Sequence, residues 1–198
     1  MAFLSRRAWN QGYDIVDNHE HEFIFRVSLP VYPWYKTEAD VATIVFVREN
    51  TTIPVPTVYA FDSSADNVLG YEWILMERLP SEAYGNIVDR LSLGDRVDVA
   101  ERIADWVDQL SCLRFNSICS LYFVPNTREL QNGRPVIQQF MGDWRHEYHH
   151  LRGPFHDLHS YLRSFMDCYG SEVYAAAQGC YRCHRRRDSE PEKEGSHQ

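Results

Sequence analysis

The amino-acid sequence predicts an α+β fold, in which a mostly antiparallel sheet is interrupted by one helix and followed by a helical segment. Three observations lead to this prediction. In FIFRVSL, residues 23–29, apolar residues alternate as in a strand with one face in a core. KTEADVATIVFVRE, residues 36–49, carries apolar residues at helical spacing, and YEWILME, residues 71–77, is a continuous apolar strand.

The first two predicted strands form a hairpin. QGYDIVDNHEHE, residues 11–22, reads as a strand and a polar turn that lead into FIFRVSL. In the second strand, the face that carries Phe23, Phe25 and Val27 is expected to lie in the core.

A helix and two strands follow the hairpin. Thr37 is placed to cap the N-terminus of the helix. The prolines of TIPVP, residues 52–56, enforce an extended entry into a short strand around residues 58–61. The apolar run at residues 71–77 then fits a central strand that is covered on both faces.

The second half of the chain is predicted to be mainly helical. Residues 95–115 predict an amphipathic helix, and residues 118–124 a short strand followed by a turn region at 125–135. A last helix is expected over residues 158–177, and the charged residues 179–198 are expected to be disordered. The apolar stripe of the amphipathic helix consists of Val97, Ala100, Ile103, Ala104, Val107 and Leu110.

Composition and charge restrict the class of protein. The 198 residues suffice for one domain, or for one lobe and part of another. A formal net charge of −8 argues against a nucleic-acid partner, which requires a basic face. No apolar run approaches the roughly 20 residues that span a bilayer, and the N-terminus does not resemble a signal peptide. We therefore expect a cytoplasmic protein without a membrane partner.

Five blocks of sequence, taken in order, resemble the aminoglycoside phosphotransferase-like (choline kinase-like) family, and most of all its fungal branch. The blocks are FRVSLP, KTEADVATIVFVREN, TIPVPTVYAFD, LGYEWILMERLP and SICSLYF. The resemblance covers about residues 9–165. It implies a protein-kinase-like N-terminal lobe at residues 1–80. It further implies a hinge with the first helices of an incomplete C-terminal lobe at 81–178, before the charged tail at 179–198.

The resemblance also implies a nucleotide site, with ATP and Mg²⁺ as the cofactors of the family. Phosphoryl transfer depends on positioning and charge neutralisation, so a cation must reach the nucleotide phosphates. Arg26 lies where the family places that cation, and Asp40 matches the helix acid that holds it. Met76, Glu77 and Leu79 match the strand end that offers backbone groups to the adenine.

The residue pattern alone leaves other roles open for these positions. A charged residue such as Arg26 on a half-exposed strand is usually solvated. In a first helical turn, Asp40 would equally well favour the helix dipole or cap the helix with Thr37. Glu38 is also near enough to be the partner acid. The hinge residues fit an ordinary buried strand that runs into a loop.

GPFHDLHSYL, residues 153–162, resembles a kinase catalytic loop but does not match it. The family has His, one intervening residue, Asp, and an Asn five positions after the Asp, which orient the acceptor hydroxyl and hold a metal ion. Here His156 and Asp157 are adjacent, and Leu162 stands at the Asn position. No His-x-Asp occurs in the chain, and the family's second metal-binding Asp is also missing. We therefore assign no catalytic residues.

Two further motifs resemble metal sites only in their spacing. CYRCH, residues 180–184, has the spacing of c-type haem attachment, but it lies in a polar tail and lacks a fourth ligand for a metal ion. His146 and His150 are one helical turn apart and fit a surface segment better. We predict no metal-ligating residues.

The leading hypothesis is a C-terminally truncated member of this family of small-molecule kinases. Its full-length relatives would transfer the γ-phosphate of ATP to a hydroxyl group, whereas this chain would lack that activity. The alternative is a non-catalytic pseudokinase module that binds a nucleotide or a protein. A third possibility is a non-functional fragment, which would expose apolar surface where a missing lobe should pack.

Overall fold

A computed structural model describes residues 2–7, 9–137 and 152–177, with strands and helices in an α+β arrangement, as the sequence predicts. The strands are β1 (Ala2–Arg7), β2 (Asn10–Val16), β3 (Glu22–Ser28), β4 (Val58–Asp62), β5 (Trp73–Glu77), β6 (Ser120–Phe123) and β7 (Leu130–Gly133). The helices are α1 (Tyr35–Asn50), the short α2 (Tyr84–Ile87), α3 (Leu93–Cys112) and α4 (Leu158–Ala177). A single 3₁₀ turn, Val88–Arg90, follows α2.

Five strands form one antiparallel sheet in the order β1-β2-β3-β5-β4, and β6 and β7 form a separate hairpin. Helix α1 connects β3 to β4, and β6 packs against it. The predicted hairpin of β2 and β3 is confirmed. Asp17 shapes its turn, because one carboxylate oxygen accepts the backbone N–H groups of His19 at 2.7 Å and His21 at 2.9 Å.

The core between the sheet and α1 lies on the face of β3 opposite to the predicted one. Ile24 packs against a buried cluster of Val41 from α1 with Ile74 and Met76 from β5. The predicted core residues of β3 are half-buried on the other face, where Phe23 and Phe25 contact the rings of Tyr59 and Trp73. Both faces of FIFRVSL carry large apolar residues, so alternation alone cannot select the face that the helix covers.

Strand β5 lies between β3 and β4, as predicted for a central strand, but only one of its faces is fully buried. Ile74 and Met76 are buried against α1, whereas Trp73, Leu75 and Glu77 alternate with them and remain half-buried. A continuous apolar run does not distinguish a strand covered on both faces from one whose outer face carries aromatic and aliphatic pairs.

Helix α1 begins two residues earlier than the predicted cap. Trp34 precedes its first residue and adopts a positive φ of 67°, and its N–H donates to Oε1 of Glu72 at 2.7 Å. Thr37 is therefore inside the first turn and is not the N-cap. Its side chain is fully buried, with its hydroxyl donating to Ser28 Oγ at 3.1 Å, so it fastens α1 to the end of β3.

Helix α3 is confirmed, but its apolar stripe faces solvent. Ser92 and Asp95 form a reciprocal capping box at its start. None of its residues is buried, and Val107 is 60% exposed. The helix is tied to the loop after α1 through Gln109, whose amide donates to the hydroxyl of Thr52 at 2.9 Å. The stripe therefore belongs to the surface of the described structure.

An aromatic cluster holds the β6–β7 hairpin against the start of α1. Tyr122 is buried, its ring lies parallel to that of Trp34 with centroids 6.0 Å apart, and its hydroxyl donates to the carbonyl of Arg134 at 2.7 Å. Tyr32 stacks on Tyr35 at 4.6 Å, with the Arg152 guanidinium 3.9 Å above its ring. Strand β7 falls in a segment that the sequence predicts to be only a turn region.

The last helix, α4, has the predicted limits. The predicted tail at 179–198, the CYRCH motif and the pair His146 and His150 lie outside the described residues. Among the described residues, no helix has the length and apolar character required to cross a membrane.

Candidate functional site

The candidate site is built on a contact between β3 and α1. Arg26 occupies the face of β3 that α1 covers, and its Nη2 donates to Oδ2 of Asp40 at 2.6 Å. The two side chains are 20% and 31% exposed, so the pair is partly shielded from water. Glu38, the other acid considered, instead accepts the hydroxyl of Ser63 at 2.6 Å. The structure thus brings together Arg26 and Asp40, the pair that the family resemblance implies and that the residue pattern alone leaves open.

Sequence reasoning missed Lys36, a second cation in the same cluster. Its Nζ donates to the same Oδ2 of Asp40 at 2.8 Å and to Oδ1 of Asn10 at 2.9 Å. Only 6% of Lys36 is exposed. Lysine is rarely so buried without a partner, and the first turn of a helix is an unusual place for it because the helix dipole disfavours a cation there. The one available signal was the i, i+4 spacing of Lys36 and Asp40.

The cluster has more hydrogen-bond donors than acceptors. Arg26 carries five N–H donors, of which one reaches Asp40, and its Nε is buried without an acceptor among the described residues. A buried N–H that lacks an acceptor costs about 1–3 kcal/mol. Among the described residues, Asp40 is the one carboxylate that either cation contacts, so these three side chains together carry a net positive charge. This arrangement fits an anion with several acceptor oxygens.

Met76 shares the sheet face of Arg26, one row away. Arg26 lies opposite Ile74, and Ile24 lies opposite Met76, so the two rows are adjacent on the side of α1. The side chain of Met76 is 8% exposed and packs within the core cluster. Met76 therefore contributes to the core between the sheet and α1. Its contact with an adenine stays a prediction.

Glu77 and Leu79 lie at the end of β5 and beyond it. The carboxylate of Glu77 accepts the hydroxyl and the N–H of Thr57 at 2.7 Å and 2.9 Å. These hydrogen bonds lower the pKa of Glu77 below its usual value, and the charge of Arg48 adds to the effect. The N–H of Glu77 donates to the carbonyl of Thr57 at 2.8 Å, so an adenine would have to use other backbone groups. Leu79 is half-buried, and its carbonyl accepts the Ser81 hydroxyl at 3.4 Å.

Asp157 caps a helix. It stands directly before α4, and its Oδ1 accepts the N–H of Ser160 at 2.7 Å. This hydrogen bond is the main cause of the lowered pKa of Asp157. His156 next to it is exposed. A capping role explains this His-Asp pair without any contribution to catalysis.

No group of three or more His, Cys, Asp or Glu side chains comes together within residues 2–7, 9–137 and 152–177. We therefore assign no residue to the metal ion.

A surface depression of about 710 Å³ lies away from this cluster, between α2 and α3. Tyr84, Ile103 and Trp106 are among its lining residues. Neither Arg26 nor Asp40 lines it. We place the candidate site at the β3–α1 contact, where Arg26, Lys36 and Asp40 meet.

Comparisons with known proteins find two fungal relatives. The chain is 28% identical over 145 residues to a subtelomeric hrmA-associated cluster protein of Aspergillus fumigatus, and 27% identical over 143 residues to a protein of the same name from a second strain. Each match covers 71% of this chain and 28% of the relative, so the chain spans little more than a quarter of these relatives' length. No family model matches the chain. No solved structure matches it either.

Proposed function

We propose that this chain is a nucleotide-binding lobe of the aminoglycoside phosphotransferase-like type, which holds the phosphates of ATP against Arg26. The observation that carries the proposal is the ion pair of Arg26 and Asp40 at 2.6 Å. A strand cation that is oriented by a helix acid is the arrangement by which kinases position nucleotide phosphates. The buried Nε of Arg26, which lacks an acceptor among the described residues, supplies a donor for such an anion.

The topology is consistent with this proposal. A five-stranded antiparallel sheet with one helix between its third and fourth strands, and a strand leading to Leu79, is what a kinase-like N-terminal lobe requires. The Pro80–Ser81 segment and the short α2 follow that strand and would form the hinge.

We further propose that this chain binds the nucleotide without transferring its phosphate. The sequence has no His-x-Asp-x-x-x-x-Asn loop, and the one similar stretch places Asp157 at a helix cap. Whether longer relatives carry out transfer to a small-molecule hydroxyl is a separate hypothesis, which rests on the sequence resemblance.

A second candidate function is a non-catalytic module that binds a protein. The exposed apolar stripe on α3 favours it, because uncovered apolar surface of this kind often marks an interaction site. This candidate and nucleotide binding do not exclude one another.

The proposed function is tested by titrating ATP, with Mg²⁺ present, into the wild-type chain, Arg26→Ala and Arg102→Ala. Arg102 is exposed on α3, so its loss controls for the change in net charge. Arg26→Ala should weaken ATP binding about tenfold or more, since a hydrogen bond to a charged group contributes about 1.5–3 kcal/mol. Thermal unfolding should show that the variant remains folded. If folded Arg26→Ala binds ATP with the affinity of the wild type, Arg26 does not hold the phosphates.

A further inference from the structure

Lys36 is a buried cation in a cluster whose one contacting carboxylate already has a partner. Its Nζ lies 2.8 Å from Asp40 Oδ2, yet Asp40 already has a partner in Arg26 at 2.6 Å. Burial of a second cation beside one carboxylate costs free energy, because neither charge is fully neutralised. A buried cation that exceeds the local negative charge is therefore a candidate for ligand binding.

The hydrogen bonds of Lys36 leave one donor over. An ammonium group has three N–H donors, and within the described residues two of them meet Asp40 and Asn10. Of the two other carboxylates in this region, Glu38 accepts from Ser63, and Glu72 accepts from the N–H of Trp34 through Oε1 while its Oε2 is buried without a donor among the described residues. Neither of them accepts a hydrogen bond from Lys36 within the described residues, so its third donor is available to a ligand.

Lys36 also ties α1 to the start of β2. Asn10 is the first residue of β2, directly after the connection from β1, and its Oδ1 accepts from Lys36 at 2.9 Å and from Ser28 Oγ at 3.4 Å. The ammonium group thus lies between the β1–β2 connection and the Arg26–Asp40 pair. An anion that reaches Arg26 comes close to Lys36 as well, because both cations donate to the same oxygen of Asp40.

We propose that Lys36 is a second phosphate-binding cation, and that Lys36 and Arg26 together hold the polyphosphate of a nucleotide without a divalent metal ion. The inference rests on the proposed function. It adds Lys36 to the phosphate-binding residues and adds binding in the absence of a divalent metal ion. In kinase sites, metal ions neutralise the charge of the phosphates. Two fixed cations in a partly buried site perform the same neutralisation, since water screens them less than it screens exposed charges.

The ligand class follows from the geometry of the two cations. They converge on one oxygen, so an anion with several oxygens on neighbouring phosphorus atoms satisfies both of them at once. Inorganic tripolyphosphate should therefore compete with ATP for this site. The affinity for adenosine, which has no phosphate groups, should not depend on Lys36.

Two variants test the role of Lys36 by different means. Lys36→Met removes the charge and keeps an apolar chain of similar length in the buried position. Asn10→Asp leaves Lys36 in place but gives it a second carboxylate, which cancels the positive surplus. Arg102→Met and Asn116→Asp make the same changes in charge at exposed positions and serve as controls.

The measurement is the affinity for ATP and for tripolyphosphate by calorimetry, in EDTA and again with Mg²⁺. We expect the wild type to bind both ligands in EDTA. Lys36→Met and Asn10→Asp should each weaken this binding about tenfold, and neither control should change it. If Lys36→Met does not fold, Asn10→Asp alone decides the question.

Three outcomes would overturn the inference, and they differ in what they leave standing. Binding of ATP by the wild type only with Mg²⁺ refutes metal-independent binding and leaves the proposed function intact. Unchanged affinities of folded Lys36→Met and Asn10→Asp in EDTA refute the role of Lys36 alone. No binding of ATP under either condition refutes the proposed function itself, and the inference with it.

Discussion

Arg26 and Asp40 lie fourteen residues apart in the sequence and meet at 2.6 Å where β3 faces α1. The pair holds the second turn of α1 against the third strand, next to the hydrogen bond from Thr37 in the first turn to Ser28. Oδ2 of Asp40 also accepts from Lys36, so this one carboxylate balances two cations. The charge surplus is what distinguishes this contact from the exposed ion pairs of the chain, such as Arg90 with Glu82.

Gly133→Ala should destabilise the β6–β7 hairpin. A Cβ at Gly133 would overlap the ring of Tyr122, which is 4% exposed and cannot move away because Trp34 and Tyr35 pack against it. We expect a loss of about 1–3 kcal/mol in the free energy of unfolding, measured in urea. Gly85→Ala, where a Cβ meets no atom within 4 Å, is the control. Equal stability of the two variants would show that Tyr122 is not held as described.

Thr57→Val should raise the pKa of Glu77 towards its usual value, because the hydroxyl of Thr57 is the main group that lowers it. A lowered pKa in the folded state stabilises the protein above the unfolded pKa of 4.5, and this contribution is lost as the pH falls through the lower, folded value. The variant should therefore lose more stability at pH 7 than at a pH where Glu77 is protonated in both states.

The pKa of Glu77 can be followed by NMR titration of its side-chain carboxyl carbon. Thr43→Val makes the same substitution at an exposed position of α1 and should leave this pKa unchanged. If Glu77 titrates identically in the wild type and Thr57→Val, the hydrogen bond does not exist in solution.

Val107→Lys and Ile103→Lys should reduce the surface hydrophobicity of the chain without unfolding it. Both residues are about half exposed or more on α3, so their replacement should change stability by no more than about 0.5 kcal/mol. The binding of a hydrophobic fluorescent dye and self-association should both decrease. Asp98→Lys, on the same helix, is the control, because it alters the charge without removing apolar surface. Loss of the fold in Val107→Lys would mean that the stripe is buried in solution.

The sequence predicts most elements because their local signals are strong. Helix α4 has the predicted limits, and the hairpin of β2 and β3 is found where polar turn residues separate two apolar runs. Strand β7, in contrast, contains Gln131, Asn132 and Gly133, none of which favours a strand. It forms because it pairs with β6 across the intervening turn, and that pairing has no signal within the β7 segment itself.

The site could be predicted only in part for a related reason. Arg26 and Asp40 are recognisable because a sequence resemblance assigns them roles. Lys36 gives no such signal, since a lysine in a first helical turn is normally exposed. Its burial depends on the tertiary structure, because its Nζ donates to Asn10 at the start of β2 and to Asp40, which also binds Arg26 of β3. No local pattern in the sequence records that combination.

The most direct test of the central claim is an NMR titration that follows the Nε–H resonance of Arg26 as ATP is added. Because this N–H is buried without an acceptor in the described structure, a phosphate oxygen that reaches it should shift the resonance strongly. The account predicts a saturable shift for Arg26 and none for Arg102 on α3. An Arg26 resonance that stays unchanged while ATP demonstrably binds would contradict it, and would place the nucleotide elsewhere on the chain.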